Sequence, residues 1–329
     1  MTCRGCLKEN EEDFCAKCRK ELFDGKKVSS TLPFLSPYAD ESEAFLDQTK
    51  KISISGVQVK YSLSLEDHAL QLTEKGGQYI LKPIPVGTFK YLNQAPANEH
   101  LTMQIAKQAF KLTTPPNALV SFKDESPAYL VRRFDQTKDG KRQQEDFAQI
   151  AQMTSEKHGT DYKYDLSYEE IAGLISQYIP TYRIEMEKFF HLILFNYVFS
   201  NGDAHLKNFS AIQSAQGDYV LTPVYDLLCT RIHSPSESDM ALTLFEDRFS
   251  TTYEDYGFYT YQDFYEFAHL IGIRESRIKK IIAEFTTPNE VVHFLIDRSF
   301  LKDELKTAYR NHYEDKVKRL KMMPKDDSQ

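Results

Sequence analysis

The sequence predicts an α+β chain that is rich in strands up to about residue 136 and helical beyond it. Three observations predict this. Residues 52–65 alternate apolar and polar side chains around the single Gly56, which reads as strand, tight loop, strand. Gln78-Tyr79-Ile80-Leu81-Lys82-Pro83 is a short apolar strand that ends in a lysine. From about residue 137 the apolar spacing turns helical, most clearly over Tyr168 to Tyr178 and Ile184 to Phe199.

With 329 residues, 41% of them hydrophobic, and 22 Phe beside 20 Tyr, the chain can bury two sizeable cores. A net charge of −7 argues against a protein built mainly to bind nucleic acid, which needs a basic face. Apolar runs fall well short of the roughly 20 residues of a membrane span. The N-terminus is charged and cysteine-rich, unlike a secretory signal. A cytoplasmic protein with no membrane partner is expected.

Residues 1–24 form a segment of their own. Cys3-Arg4-Gly5-Cys6 and Cys15-Ala16-Lys17-Cys18 are two Cys-x-x-Cys units. In a chain that is not secreted, such pairs read as a metal site before they read as disulfides. Cys3, Cys6, Cys15 and Cys18 can offer four thiolates to a structural Zn²⁺, a closed set with no open catalytic position. So short a segment has no room for a core of its own. Reduced thiols in a tail are the plain alternative. Residues 25–50 read as a connector, 51–136 as a strand-rich lobe and 137–329 as a helical lobe.

Within the first lobe, Lys82 ends its strand where a phosphate-binding lysine could stand, although most such lysines are simply solvated. Asn98-Glu99-His100 opens an amphipathic run with Leu101, Ile105, Ala109 and Leu112 near helical spacing. Glu99 then either complements a helix N-terminus or pairs with Lys82. Ala128 to Asp135 reads as a strand leading into polar sequence, with Arg132 and Phe134 near its end. In the second lobe the apolar run to Phe199 stops at Ser200-Asn201-Gly202-Asp203-Ala204-His205-Leu206-Lys207-Asn208. An acid, an imidazole, an ammonium and an amide thus lie on one loop. A plain polar turn is the alternative. Tyr219 to Leu228 reads as a strand with Asp226 near its end, and the basic residues from Lys316 to Lys325 read as a solvated helix face.

The order of these parts is that of a phosphoryl-transfer enzyme of the protein kinase type. Four residues separate Asp203 from Asn208, the kinase spacing between the acid that accepts the hydroxyl proton and the amide that holds Mg²⁺. Asp226 would be the second Mg²⁺ ligand, Lys82 would hold the ATP phosphates, and the strand around Arg132 and Phe134 would be the adenine-binding hinge. The expected fold is therefore a two-lobed, protein-kinase-like α+β fold, with a β-rich N-lobe and a helical C-lobe. It carries a small Cys₄ zinc-knuckle-like segment at its start. His205 either braces the loop or moves a proton. Lys207 meets either the γ-phosphate or solvent.

Residues 53–60 (Ser-Ile-Ser-Gly-Val-Gln-Val-Lys), 201–210 (Asn-Gly-Asp-Ala-His-Leu-Lys-Asn-Phe-Ser) and 223–228 (Pro-Val-Tyr-Asp-Leu-Leu) resemble the HipA-like serine/threonine kinase toxins. The likeness is to the compact HipT-like branch and covers about residues 50–310. It implies a kinase that phosphorylates a protein, often an aminoacyl-tRNA synthetase, and so arrests growth under the restraint of an antitoxin. Nucleic acid would be met only through that antitoxin. It also implies that Ser55, Gly56, Val57, Gln58 and Lys60 cover the nucleotide, and that Ser53, or Ser53 and Ser55, are autophosphorylated. The Cys₄ segment stands where a larger N-terminal subdomain is expected, so a separate small protein would supply that part. Asp203-x-His205-x-x-Asn208 also resembles small-molecule kinases of the aminoglycoside type and lipid kinases. A non-catalytic scaffold with a kinase fold is the rival of a different class.

Overall fold

The computed structural model of the chain describes residues 1–37 and 59–322. The expected nucleotide loop with Ser53, Ser55, Gly56, Val57 and Gln58 therefore lies outside the described residues. The chain divides into two compact units. The first comprises Met1–Gly140, Ile232–Ser234 and Val291–Thr307; the second comprises Lys141–Arg231, Pro235–Glu290 and the residues from Ala308 on.

The first unit is built on a five-stranded antiparallel sheet of β1 (Tyr61–Glu66), β2 (Ala69–Leu72), β3 (Tyr79–Pro83), β4 (Asn117–Ser121) and β5 (Pro127–Arg132), in the order β2-β1-β3-β5-β4. Asp67 and His68 join β1 to β2 with φ of 42° and 67°. That left-handed pair is what a two-residue hairpin turn needs to match the strand twist. Pleat alternation sends Leu63, Leu81, Ala118, Val120, Ala128 and Leu130 into one core. The opposite face of β5 and β4 packs against α2 (Ala95–Gln108).

The cysteine segment shares that core. Phe14, Leu22 and Phe23 pack with the sheet residues, so the segment borrows a core it is too short to build alone. Only the first Cys-x-x-Cys is a turn. Cys15 is the N-cap of α1 (Ala16–Phe23) and Cys18 lies in its first turn, so three-residue helical spacing puts both thiols on one face. The segment also covers the free edge of β4. Leu119 N donates to Arg4 O at 3.0 Å and Leu32 N to Ser121 O at 2.7 Å, which blunts an edge that would otherwise invite pairing.

The second unit is organised around α4 (Tyr182–Val198), buried along most of its length, with α3 (Tyr168–Tyr178), α5 (Tyr261–Leu270) and α6 (Glu275–Thr286) among its other helices. Ser167 and Glu170 cap α3 reciprocally, which fixes its start. Helical spacing did not reveal the three-stranded sheet of this unit: β6 (Gln144–Asp146), β7 (Ser210–Gln213) and β8 (Tyr219–Leu221), in the order β8-β7-β6. Pro223 has no N–H to give a ladder, and β8 stops before it. Asp226 thus lies beyond the strand expected to carry it. The helices α7 (Glu290–Arg298) and α8 (Asp303–Leu320) complete the described chain.

The basic stretch of α8 is not a solvated face at Lys316. Its ammonium is buried, 2.5 Å from Asp239 and 4.4 Å over the Tyr197 ring. Arg231 and Arg319 close on the same carboxylate at 2.5 and 3.1 Å. Burial lowers the Lys316 pKa to about 8 against the pull of Asp239. Among the described residues, no helix is long and apolar enough to cross a membrane.

Candidate active site

In the first unit Lys82 lies on β3 opposite Tyr129 of β5, on the face turned from the core of Leu81 and Leu130. Its ammonium is 2.6 Å from Glu99 Oε1 and 5.5 Å from the centre of the Tyr129 ring. Both side chains are almost fully buried, at 5% and 7% exposure, so neither is a surface charge. The helix carrying Glu99 starts at Ala95, with a proline in its first turn, and not at Asn98. Glu99 therefore stands past the first turn, beyond the reach of the helix-end effect. Of the two sequence readings for Glu99, the pairing with Lys82 is the one the coordinates realise. A buried pair of this kind is costly to form and more costly to halve, so it marks a position held for charge.

Lys60 lies half-buried just before β1. Arg132, expected near adenine, has its guanidinium elsewhere: it grips Asp24 with two bonds of 2.8 and 3.0 Å and donates to Glu21 O at 3.0 Å. Any contribution of Arg132 to a nucleotide is left to its backbone. Phe134 is half-buried two residues on.

In the second unit the polar loop forms because α4 is ended firmly. Ser200 adopts φ 51°, a left-handed stop, and Asn201 N turns back to Asn196 O at 2.9 Å. Gly202 is required by close approach. A Cβ there would lie 2.7 Å from Ser238 O and 2.8 Å from the Glu237 carboxyl carbon. Gly202 N donates to Thr230 Oγ1 at 2.8 Å, and Tyr168 OH donates to Ala204 O at 2.9 Å. The backbone on both sides of Asp203 is thereby pinned. Thr230 Oγ1 also meets Glu237, whose pKa burial pushes up to about 7.

Asp203 itself is half exposed, and its Oδ1 accepts a hydrogen bond from Tyr164 OH at 2.5 Å. His205 Nε2 lies 3.8 Å from the same oxygen. Burial lowers the His205 pKa to about 4 despite the fields of Asp203 and Asp226, so the imidazole is neutral at pH 7. Burial, together with the bond to Asp203, raises the Tyr164 pKa. Asn208 Oδ1 accepts from His205 N at 3.1 Å and, as a carbonyl oxygen, keeps a second lone pair for a metal. Lys207 points to solvent from an exposed position. Asp226 is half-buried with φ 55°, a conformation that Asp tolerates better than most residues and one that clusters at functional sites. Asp226, like Asn208, carries a hard oxygen of the kind that Mg²⁺ takes. The second unit thus gathers Asp203, His205, Asn208 and Tyr164 on one loop and its neighbour. Sequence reasoning missed Tyr164, because nothing local marks a tyrosine 39 residues upstream as a partner of Asp203.

The four cysteines are also brought together. Their sulfurs lie within 4.8 Å of one another, with Cys6 Sγ and Cys15 Sγ 3.8 Å apart. All four are free of disulfides. A tetrahedron with Zn–S bonds of about 2.3 Å has edges of about 3.8 Å, so the set fits Zn²⁺. Cys15 N donates to Cys3 Sγ at 3.3 Å, which supports thiolate charge there.

Comparison with known proteins bears on the family and the fold. The model of the HipA-like C-terminal domain matches residues 52–291. A Haemophilus influenzae protein named as a candidate kinase is 30% identical over 316 residues, covering 90% of this chain and 89% of its own length. A candidate kinase of Sinorhizobium fredii is 28% identical over 222 residues, 62% of this chain and 52% of the relative. Among solved structures, HipA of Shewanella oneidensis, determined with HipB and operator DNA, matches with a TM-score of 0.59 at 21% identity. The match covers 80% of this chain and 63% of that one, so the chain spans under two thirds of that HipA. The Helicobacter pylori proinflammatory kinase CtkA matches with a TM-score of 0.55 at 14% identity over 89% of this chain and 95% of that one. At these identities the structures share the fold, a mixed α+β, kinase-like architecture with a curled sheet and a helical part.

Proposed function

Because the chain belongs to the HipA-like C-terminal domain family, we propose that it is an ATP- and Mg²⁺-dependent serine/threonine protein kinase acting as the toxin of a toxin–antitoxin system. Its substrate is a protein, with an aminoacyl-tRNA synthetase as the first candidate, and it works in the cytoplasm. Lys82 holds the α- and β-phosphates of ATP, and Glu99 holds Lys82. Asn208 and Asp226 hold the metal, which neutralises charge on the phosphates. Asp203 accepts the proton of the attacking serine or threonine hydroxyl. Neutral His205 braces that loop, and catalysis is mostly positioning and charge neutralisation. Ser55, Gly56, Val57, Gln58 and Lys60 cover the nucleotide. Phosphorylation of Ser53 or Ser55 would bring nearly two negative charges beside the ATP phosphates and switch binding off. Cys3, Cys6, Cys15 and Cys18 hold a structural Zn²⁺. An antitoxin protein restrains the kinase.

The observation that carries this reading is the buried Lys82–Glu99 pair at 2.6 Å, joining a strand to a helix as an active kinase requires. The Asp203 carboxylate already accepts a hydroxyl, that of Tyr164, in the manner its role demands. The test is incubation of the purified protein with γ-labelled ATP and Mg²⁺, followed by mapping of the labelled residues by mass spectrometry. Label on serine or threonine of this chain or of an added protein supports the reading. Label on an aminoglycoside or lipid alone, or on nothing, overturns it. Ser53→Ala with Ser55→Ala tests the switch: unchanged autophosphorylation and toxicity would remove it.

A further inference from the structure

The cysteine segment does more than sit beside the sheet. It grips the helix that presents Glu99. His100, the next residue of α2 and only 1% exposed, lies with Nε2 3.0 Å from Gly5 O. A carbonyl only accepts, so the imidazole carries its proton on Nε2. Two turns on, Gln108 Nε2 donates to Cys6 O at 2.8 Å. Between them in sequence, Lys107 reaches Glu21 of α1 at 2.6 Å. Both carbonyls belong to the Cys3-Arg4-Gly5-Cys6 turn, whose path is set by two of the four clustered thiols. Gly5 is pressed against the cluster, since a Cβ there would come 2.7 Å from Cys18 Sγ. Strand β3, which carries Lys82, is tied to the same segment through Tyr79 OH, which donates to Leu22 O at 2.7 Å.

We propose that the four-cysteine site is a metal-dependent clamp, in which a bound Zn²⁺ fixes the Cys3–Cys6 turn, the turn fixes α2 through His100 and Gln108, and α2 thereby holds Glu99 on Lys82. The consequence for nucleotide binding rests on the kinase reading above. Loss of the metal, or its displacement by a chelator, frees a turn too short to hold its own shape. Glu99 then samples positions away from Lys82, and apparent nucleotide affinity falls with the fraction of chains still paired. His100 and Gln108 are positioning residues in this scheme.

The experiment measures three quantities on the full chain: zinc per chain by elemental analysis, amide exchange over residues 95–108, and MgATP affinity. They are taken before and after chelator treatment under reducing conditions. The expected results are one zinc per chain, faster exchange in α2 on chelation with α4 and α6 unchanged, and MgATP binding weakened about tenfold, restored by added Zn²⁺. His100→Phe, which keeps the ring and removes the donor to Gly5 O, should loosen α2 in the same way at full zinc content. It serves as the deciding variant if chelation unfolds the whole chain. Zinc absent from the purified protein, or α2 exchange unmoved both by chelation and by His100→Phe, overturns the clamp. A zinc-loaded chain that binds no MgATP would sink the kinase reading instead, while the exchange data would still decide the clamp.

Discussion

The charged groups of the first unit and those of the second are held in opposite ways. Lys82 and Glu99 are dry and paired, each almost wholly buried, and carried on a strand and a helix that the cysteine segment steadies. Asp203 is half exposed, on a loop, and rests on a tyrosine hydroxyl. Binding a triphosphate needs a charge fixed in advance, because a cation that must reorganise loses much of its advantage. Accepting a proton from an incoming substrate needs a carboxylate that the substrate can reach. The observed burial fits the proposed roles, with the buried pair holding phosphate and the exposed carboxylate meeting a hydroxyl.

That contrast can be broken at several points. The largest effect is expected at Asp203. Asp203→Asn should lower phosphoryl transfer by about 10²–10⁴-fold in a γ-phosphate assay, since the proposed base is lost and the shape kept. Gly202→Ala comes next. The Cβ would meet Ser238 O at 2.7 Å and shift the loop, so transfer should fall by about 10- to 100-fold, with thermal stability changed much less. Lys82→Met should act on folding as well as on nucleotide, because Glu99 is left buried without its cation. A loss of roughly 3–5 kcal/mol in denaturant unfolding is expected. Lys316→Met should cost less, about 1–2 kcal/mol, because Arg231 and Arg319 still neutralise Asp239.

An effect of pH on stability is also expected. Burial lowers the pKa of His191 and of His205 to about 4, against 6.5 in an unfolded chain. Between those values the unfolded chain binds more protons than the folded one. Stability should therefore fall as pH drops from about 6.5 towards 4, and level off below. Unfolding midpoints across that range check it, and His191→Gln should flatten the slope.

What the sequence could tell followed how local each interaction is. Asp203 and Asn208 lie on one short loop, and their spacing was readable because the chain itself sets it. The cysteines were readable for the same reason, each pair being three residues apart. Lys82 and Glu99 meet across a strand and a helix whose true start, Ala95, was hidden by the more polar Asn98-Glu99-His100. The choice between helix-end charge and ion pair needed the fold. The largely apolar Tyr219 to Leu228 reads as one strand carrying Asp226, but Pro223 ends the ladder early and Asp226 takes a left-handed backbone. Lys316 looked solvated by its basic neighbours, while its partner Asp239 lies 77 positions away and only packing reveals it. Tyr164 carries no local signal at all.

The division of labour between the two units is tested most directly by MgATP affinity in two variants measured side by side. The account predicts that Lys82→Met weakens binding more than tenfold, while Asp203→Asn, altered at the proposed base and not at the proposed phosphate site, binds within about threefold of the unaltered chain. Equal affinities in the two variants, or a loss confined to Asp203→Asn, would contradict it.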